Sequence, residues 1–138
     1  MQTGVPAIMG GTELVSMAAT LCSYENWFGP YHPQTLCLLT ELAVAYGQYG
    51  DFESACGFLE RAIRDVGRNL GRNHEFRLRA LAALRDLSIQ RRDYEQAGGA
   101  QKDLVQSRLE VFGAGHAETL SARCQLGDIL LKTAKSEA

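Results

Sequence analysis

No stretch of this chain is apolar over the roughly twenty residues that a membrane-spanning helix needs, so no membrane contact is expected. Residues 1–11 carry neither a basic start nor an apolar run, and so no secretory signal is read there. The expected compartment is the cytoplasm. Basic charge is not in excess either: 14 Lys and Arg stand against 16 Asp and Glu, for a net charge of −2. A phosphate-binding face needs clustered Lys and Arg. The basic stretch from Arg61 to Arg92 is broken by acids throughout and reads as solvated helix faces, so nucleic acid is not an expected partner.

Motifs of chemistry are missing as well. No C-x-x-C pair occurs, and Cys22, Cys37, Cys56 and Cys124 read as buried free thiols in a reducing compartment. No glycine-rich nucleotide loop is present, since Gly10-Gly11 and Gly98-Gly99 are isolated pairs. No Ser or Cys stands in a nucleophile elbow. Catalysis is therefore not expected, and neither a catalytic set nor a cofactor is assigned.

What the chain does have is a period. His32, His74 and His116, the only three histidines, are separated by the same 42 residues. Gly29, Gly71 and Gly113 keep that step, as do Leu36, Leu78 and Leu120, and Leu42, Leu84 and Leu126. Self-similarity at this length marks a stacked repeat. With 46% hydrophobic residues, the chain has enough apolar surface for a core. The period also argues against a shared metal. Packed helices lie about 8–10 Å apart, so equivalent corners of two-helix units fall roughly 16–20 Å apart, whereas zinc ligands lie about 2 Å from one ion. The histidines are expected to bond helix starts.

Each unit reads as two amphipathic helices. Pro33 suits a first helical position with His32 at or beside the cap. Leu36, Leu39, Leu42, Ala43 and Tyr46 then form one apolar stripe, to about Tyr49. Gly50-Asp51 breaks the helix. Phe52, Ala55, Cys56, Leu59, Ala62, Ile63 and Val66 form the next stripe. The second unit predicts helices over about 75–91 and 94–111, and the third a single helix over about 117–134. Ahead of them, Thr12 can cap a helix to Trp27 whose stripe, Leu14, Met17, Leu21 and Tyr24, falls 42 residues before Cys56, Leu59, Ile63 and Val66. The organisation is thus a loose, disordered tail (1–11), a repeat domain over 12–134 and a tail (135–138). The repeat domain divides into a half repeat 12–27, repeats 28–69 and 70–111, and a half repeat 112–134, about six helices and no strand.

The segments Phe28-Gly29-Pro30-Tyr31-His32-Pro33, Glu41-Leu42-Ala43-Val44-Ala45-Tyr46, Gly50-Asp51-Phe52 and Leu59-Glu60-Arg61-Ala62-Ile63 resemble a tetratricopeptide repeat. The length is similar to the 42-residue variety of kinesin light chains and many bacterial proteins. The family's large, small, aromatic and small positions match Leu42, Ala43, Tyr46 and Ala55, then Leu59 and Ala62. The resemblance implies an all-α, right-handed superhelix of antiparallel helix hairpins. The second unit departs from the pattern. Arg85 stands for Ala43, Ser88 for Tyr46 and Gln101 for Leu59, and Gly98-Gly99 lies mid-helix. That hairpin is expected to be looser, or its helices displaced.

Function is then expected of a surface: a scaffold that binds a peptide or helix of a partner protein in the groove of the array. The alternative is a peptide-sensing regulatory domain of a larger signalling protein. The resemblance implies that the first helix of each unit lines the groove. In the first unit this gives Cys37, Thr40, Glu41, Val44 and Gln48; in the second Arg79, Ala82, Ala83, Asp86 and Gln90; in the third Ser121, Cys124, Gln125, Asp128 and Lys132. The family's peptide-gripping asparagines are replaced by Thr40 and Glu41, so kinesin-type cargo recognition is not implied. Both ends of the array lack a partner helix, which suggests a piece of a longer array. Part of Leu14, Met17 and Leu21, and of Leu126, Ile129 and Leu130, is expected to stand uncovered and to support pairing, as a homodimer or end to end.

Overall fold

The computed structural model describes residues 11–137. Six α-helices follow one another: α1 (Gly11–Phe28), α2 (Pro33–Tyr49), α3 (Phe52–Asn69), α4 (Glu75–Gln90), α5 (Tyr94–Phe112) and α6 (Ala117–Glu137). No strand occurs among the described residues. Of the expected tail 1–11, residues 1–10 lie outside what is described, as does the side chain of Thr12, and Gly11 belongs to α1. The last helix runs three residues past its expected end at Ala134, to Glu137.

The histidines explain where the first helices of the units begin. Nδ1 of His32 accepts the backbone N–H of Gln34 at 3.1 Å, His74 that of Phe76 at 3.2 Å, and His116 that of Glu118 at 3.1 Å. Each bond satisfies one of the donors that a helix start leaves without an intrahelical partner. The imidazoles are held flat by aromatic rings. His32 stacks on Phe28 and His116 on Phe112, with centroids 4.7 and 4.4 Å apart. In the second unit Leu70 replaces that aromatic, and His74 stacks on the following Phe76 instead.

The second helices start on aspartate. Asp51 accepts from Ser54 N and Asp93 from Gln96 N, each at 3.2 Å, as side chains at this position commonly do. The preceding turn residue is left-handed in both hairpins, Gly50 at φ 104° and Arg92 at φ 62°. Two threonines tie neighbouring units together. The hydroxyls of Thr35 and Thr119, both buried, donate to the carbonyls of Tyr24 and Arg108 at the ends of α1 and α5.

Each helix packs on the next in sequence, and α2 also meets α4, as expected of a helical repeat. The core runs along the array through Leu42, Leu59, Leu81 and Val66, all essentially without exposure. Successive units share one core because each apolar stripe is covered by the following helix.

Several expectations are corrected. In the hairpin expected to be looser, α5 runs without a break through Gly98-Gly99. Gly98 is buried, and the methyl of Ile129 on α6 lies 3.8 Å from where a Cβ would stand. Leu14, Leu21 and Ile129, placed among the uncovered ends, are buried in the protein's own packing. Met17 and Leu126 are half-buried, and Leu130 is exposed. Of the four thiols, only Cys56 is buried; Cys37 is half-buried, and Cys22 and Cys124 are exposed.

Candidate interaction cleft

A cleft of about 610 Å³ is walled by α4 and α6 and floored by α5. It forms where two first helices flank the second helix between them. Leu78, Ala82, Leu104 and Ala122 supply an apolar base. Arg79, Arg85, Arg108, Glu75, Glu118, Gln101 and Gln125 supply charge and hydrogen-bonding capacity around it.

The least ordinary part of this lining is a polar cluster at core positions of the repeat. The Arg85 side chain is only 18% exposed. Its Nη1 donates to Oε1 of Gln101 at 2.9 Å and to Oε1 of Gln125 at 3.2 Å. Gln101, fully buried, donates through Nε2 to the Ala122 carbonyl at 2.9 Å and to Gln125 at 3.3 Å. The Arg85 Nε bonds Asp86 at 3.0 Å. A half-desolvated guanidinium with unmet donors would cost several kcal/mol, roughly; here two amides and a carboxylate take up its donors. Ser88 follows the same logic, donating to the Leu84 carbonyl and bonding Gln96 across the hairpin. The departures in the second unit are thus matched to one another.

The other two cations face the cleft differently. Arg79 pairs with Glu75 at 2.7 Å, one turn away on an exposed helix face. Such surface pairs contribute about 0.3–0.5 kcal/mol, so the guanidinium is readily drawn to another carboxylate. Arg108 lies over the ring of Phe112 at 5.9 Å.

Of the groove residues read from the sequence, Arg79, Ala82, Ser121 and Gln125 line this cleft. Asp86 touches it through Arg85. Gln90, Cys124, Asp128 and Lys132 are exposed on α4 and α6 but do not line it. Ala83 is half-buried and packs on the core. On α2, Glu41, Val44 and Gln48 are exposed, Cys37 is half-buried, and the Thr40 hydroxyl is occupied with the Leu36 carbonyl. The first-unit residues are therefore not part of the same concavity. Sequence reasoning missed Arg108 and Glu118 as lining residues. It noticed Arg85 and Gln101 only as faults in the repeat, although a charged and an amide side chain at two core positions were the available signal.

Among the described residues no group of three His, Cys, Asp or Glu side chains is placed to hold a metal ion. No described helix is long and apolar enough to cross a membrane. Compared with protein-family models and with curated proteins, the chain matches none.

Proposed function

We propose that this protein is a protein-interaction module of the tetratricopeptide type, a right-handed array of helix hairpins acting as a scaffold rather than an enzyme. The α4–α6 cleft receives an extended peptide or one helix of a partner protein. The observation that carries this reading is the cleft itself: about 610 Å³, with an apolar base and arginine, carboxylate and amide groups around it. Concave sites that combine apolar area with a few placed polar groups are the usual form of a recognition site. The hydrogen bonds of the Arg85–Gln101–Gln125 cluster support it further, because side chains already held in place before binding lose less entropy on association.

The test is selection of binders from a random peptide library displayed against the whole chain, followed by titration of the selected peptides. Arg79→Glu and Ser121→Arg, which change the two walls, are expected to weaken binding by at least about tenfold. Binders indifferent to both changes, or no binders at all, would overturn the proposal.

A further inference from the structure

A second surface lies on the far side of α6 from α5. In the first two units the first helix is covered on one side by its own second helix. Leu36 and Leu78 are buried there, as are Leu39 and Leu81. On the same side Tyr46 stacks on Phe58 of α3, and Ser88 bonds Gln96 of α5. The third copy of this face is open. Leu120, one repeat after Leu78, is 49% exposed, and Leu130, one repeat after Ser88, is 47% exposed. Arg123, after Leu81, is exposed. Gly127 stands where Ala43 and Arg85 stand, and nothing lies within 4 Å of where its Cβ would be.

We propose that this face of α6 docks an amphipathic helix of another polypeptide, in the place that α3 takes on α2 and α5 takes on α4. The chain itself shows the chemistry of the occupant, because it covers the equivalent face twice. Both covering helices carry buried small residues, Ala55 and Ala62 on α3 and Ala97 on α5, where Leu104 takes the place of Ala62. On α3 the larger Leu59 lies between the two alanines, and on α5 its counterpart Gln101 lies four residues after Ala97, both without exposure. Arg85, the residue equivalent to Gly127, bonds Gln101, whose counterpart on α3 is Leu59. With glycine there, the docked helix has room for a large apolar side chain at that point, flanked by small residues three to four positions away. Leu120 and Leu130 then pack on either side of it.

The chain's own α1 does not fit this description. At the positions of Ala55, Phe58 and Ala62 it carries Glu13, Ser16 and Thr20, all exposed. Head-to-tail stacking of copies would set the Glu13 carboxylate and the Ser16 hydroxyl against Leu120 and Leu130, away from water, whereas Thr20 keeps its bond to the Ser16 carbonyl. This surface is separate from the cleft, and its occupancy does not depend on a ligand there.

The probe is a labelled synthetic peptide with the sequence of α3, Phe52–Asn69, titrated into the whole chain and followed by fluorescence anisotropy. Saturable binding is expected. Leu130→Glu in the chain, or Leu59→Asp in the peptide, is expected to weaken it by about tenfold or more. Val15→Glu on α1 leaves it unchanged. Circular dichroism of Leu130→Glu, expected to match the parent chain, separates loss of the surface from loss of the fold. Absence of binding, or binding indifferent to Leu130→Glu, overturns the proposal. So does a chain that sediments as a dimer which Leu130→Glu dissociates, since the face would then belong to a second copy.

Discussion

The Arg85 guanidinium donates to Oε1 of Gln101 at 2.9 Å, and the two residues stand where the first unit has Ala43 and Leu59, both fully buried. A small and a large apolar core residue have been replaced by a charged and an amide side chain that satisfy each other. The replacement also sets Gln101 against the Ala122 carbonyl of α6, so the pair links α4, α5 and α6.

That linkage predicts strong coupling. Gln101→Leu alone removes an acceptor from Arg85 and a donor from Ala122, and is expected to cost about 1–3 kcal/mol of stability. Arg85→Ala together with Gln101→Leu restores the first unit's residues and should recover at least about 1 kcal/mol of the summed single losses. Urea denaturation of the four proteins gives the coupling. Strictly additive losses would mean that the two side chains do not depend on each other.

The histidine corners predict a capping series. His74→Ala should lower stability by about 1 kcal/mol, while His74→Asn, which keeps an acceptor at the cap, should lose less than half of that. Thermal unfolding of the two variants reads the difference. Equal losses would assign the role of His74 to its stacking on Phe76 rather than to its bond with the Phe76 N–H.

Two helical glycines should respond in opposite ways to alanine. A Cβ at Gly99 meets nothing within 4 Å, so Gly99→Ala should stabilise by about 0.5–1 kcal/mol through helix propensity. A Cβ at Gly47 would overlap the Leu87 side chain, where α2 meets α4, and Leu87 is itself buried. Gly47→Ala should destabilise by about 1 kcal/mol or more. Replacement of Leu87 by Ala should remove most of the difference between glycine and alanine at 47. Both comparisons are made from denaturation midpoints.

Arg92 occupies the left-handed turn position that Gly50 holds one repeat earlier. A side chain there costs roughly 1–2 kcal/mol, and glycine returns part of this as unfolded-state entropy. Arg92→Gly is expected to raise stability by about 0.5–1 kcal/mol. A lower melting temperature for this variant would show that the Arg92 side chain makes contacts worth more than the strain it imposes.

Much of the fold was legible because its signals are local. The interval between the histidines places the corners, Pro33 and Gly50 punctuate α2, and three- and four-residue spacing places the stripes. These depend on backbone geometry within one or two turns. The burial of Leu14, Leu21 and Ile129 was not legible in the same way. A stripe says that a helix has an apolar side, but not which part of that side a neighbour covers. Cys124 shows the same limit: it was read as a buried thiol, and its place on α6 leaves it in the open.

The cleft was the least legible element. Its first-helix residues Arg79, Ala82 and Gln125 could be read from repeat register, since equivalent positions share a face. Its closure by Arg85, Gln101 and Arg108 could not, because Arg85 belongs to α4 and the other two to α5, with no repeat spacing among them. The order of residues alone decided that this chain is a series of capped amphipathic helices on a 42-residue period. Tertiary packing decided that a cation and two amides at core positions complete one another, and that α6 keeps one apolar side in water. The reason is range: caps and stripes are settled by neighbours within a turn, whereas hydrogen-bond satisfaction and burial depend on which distant side chains arrive at the same place.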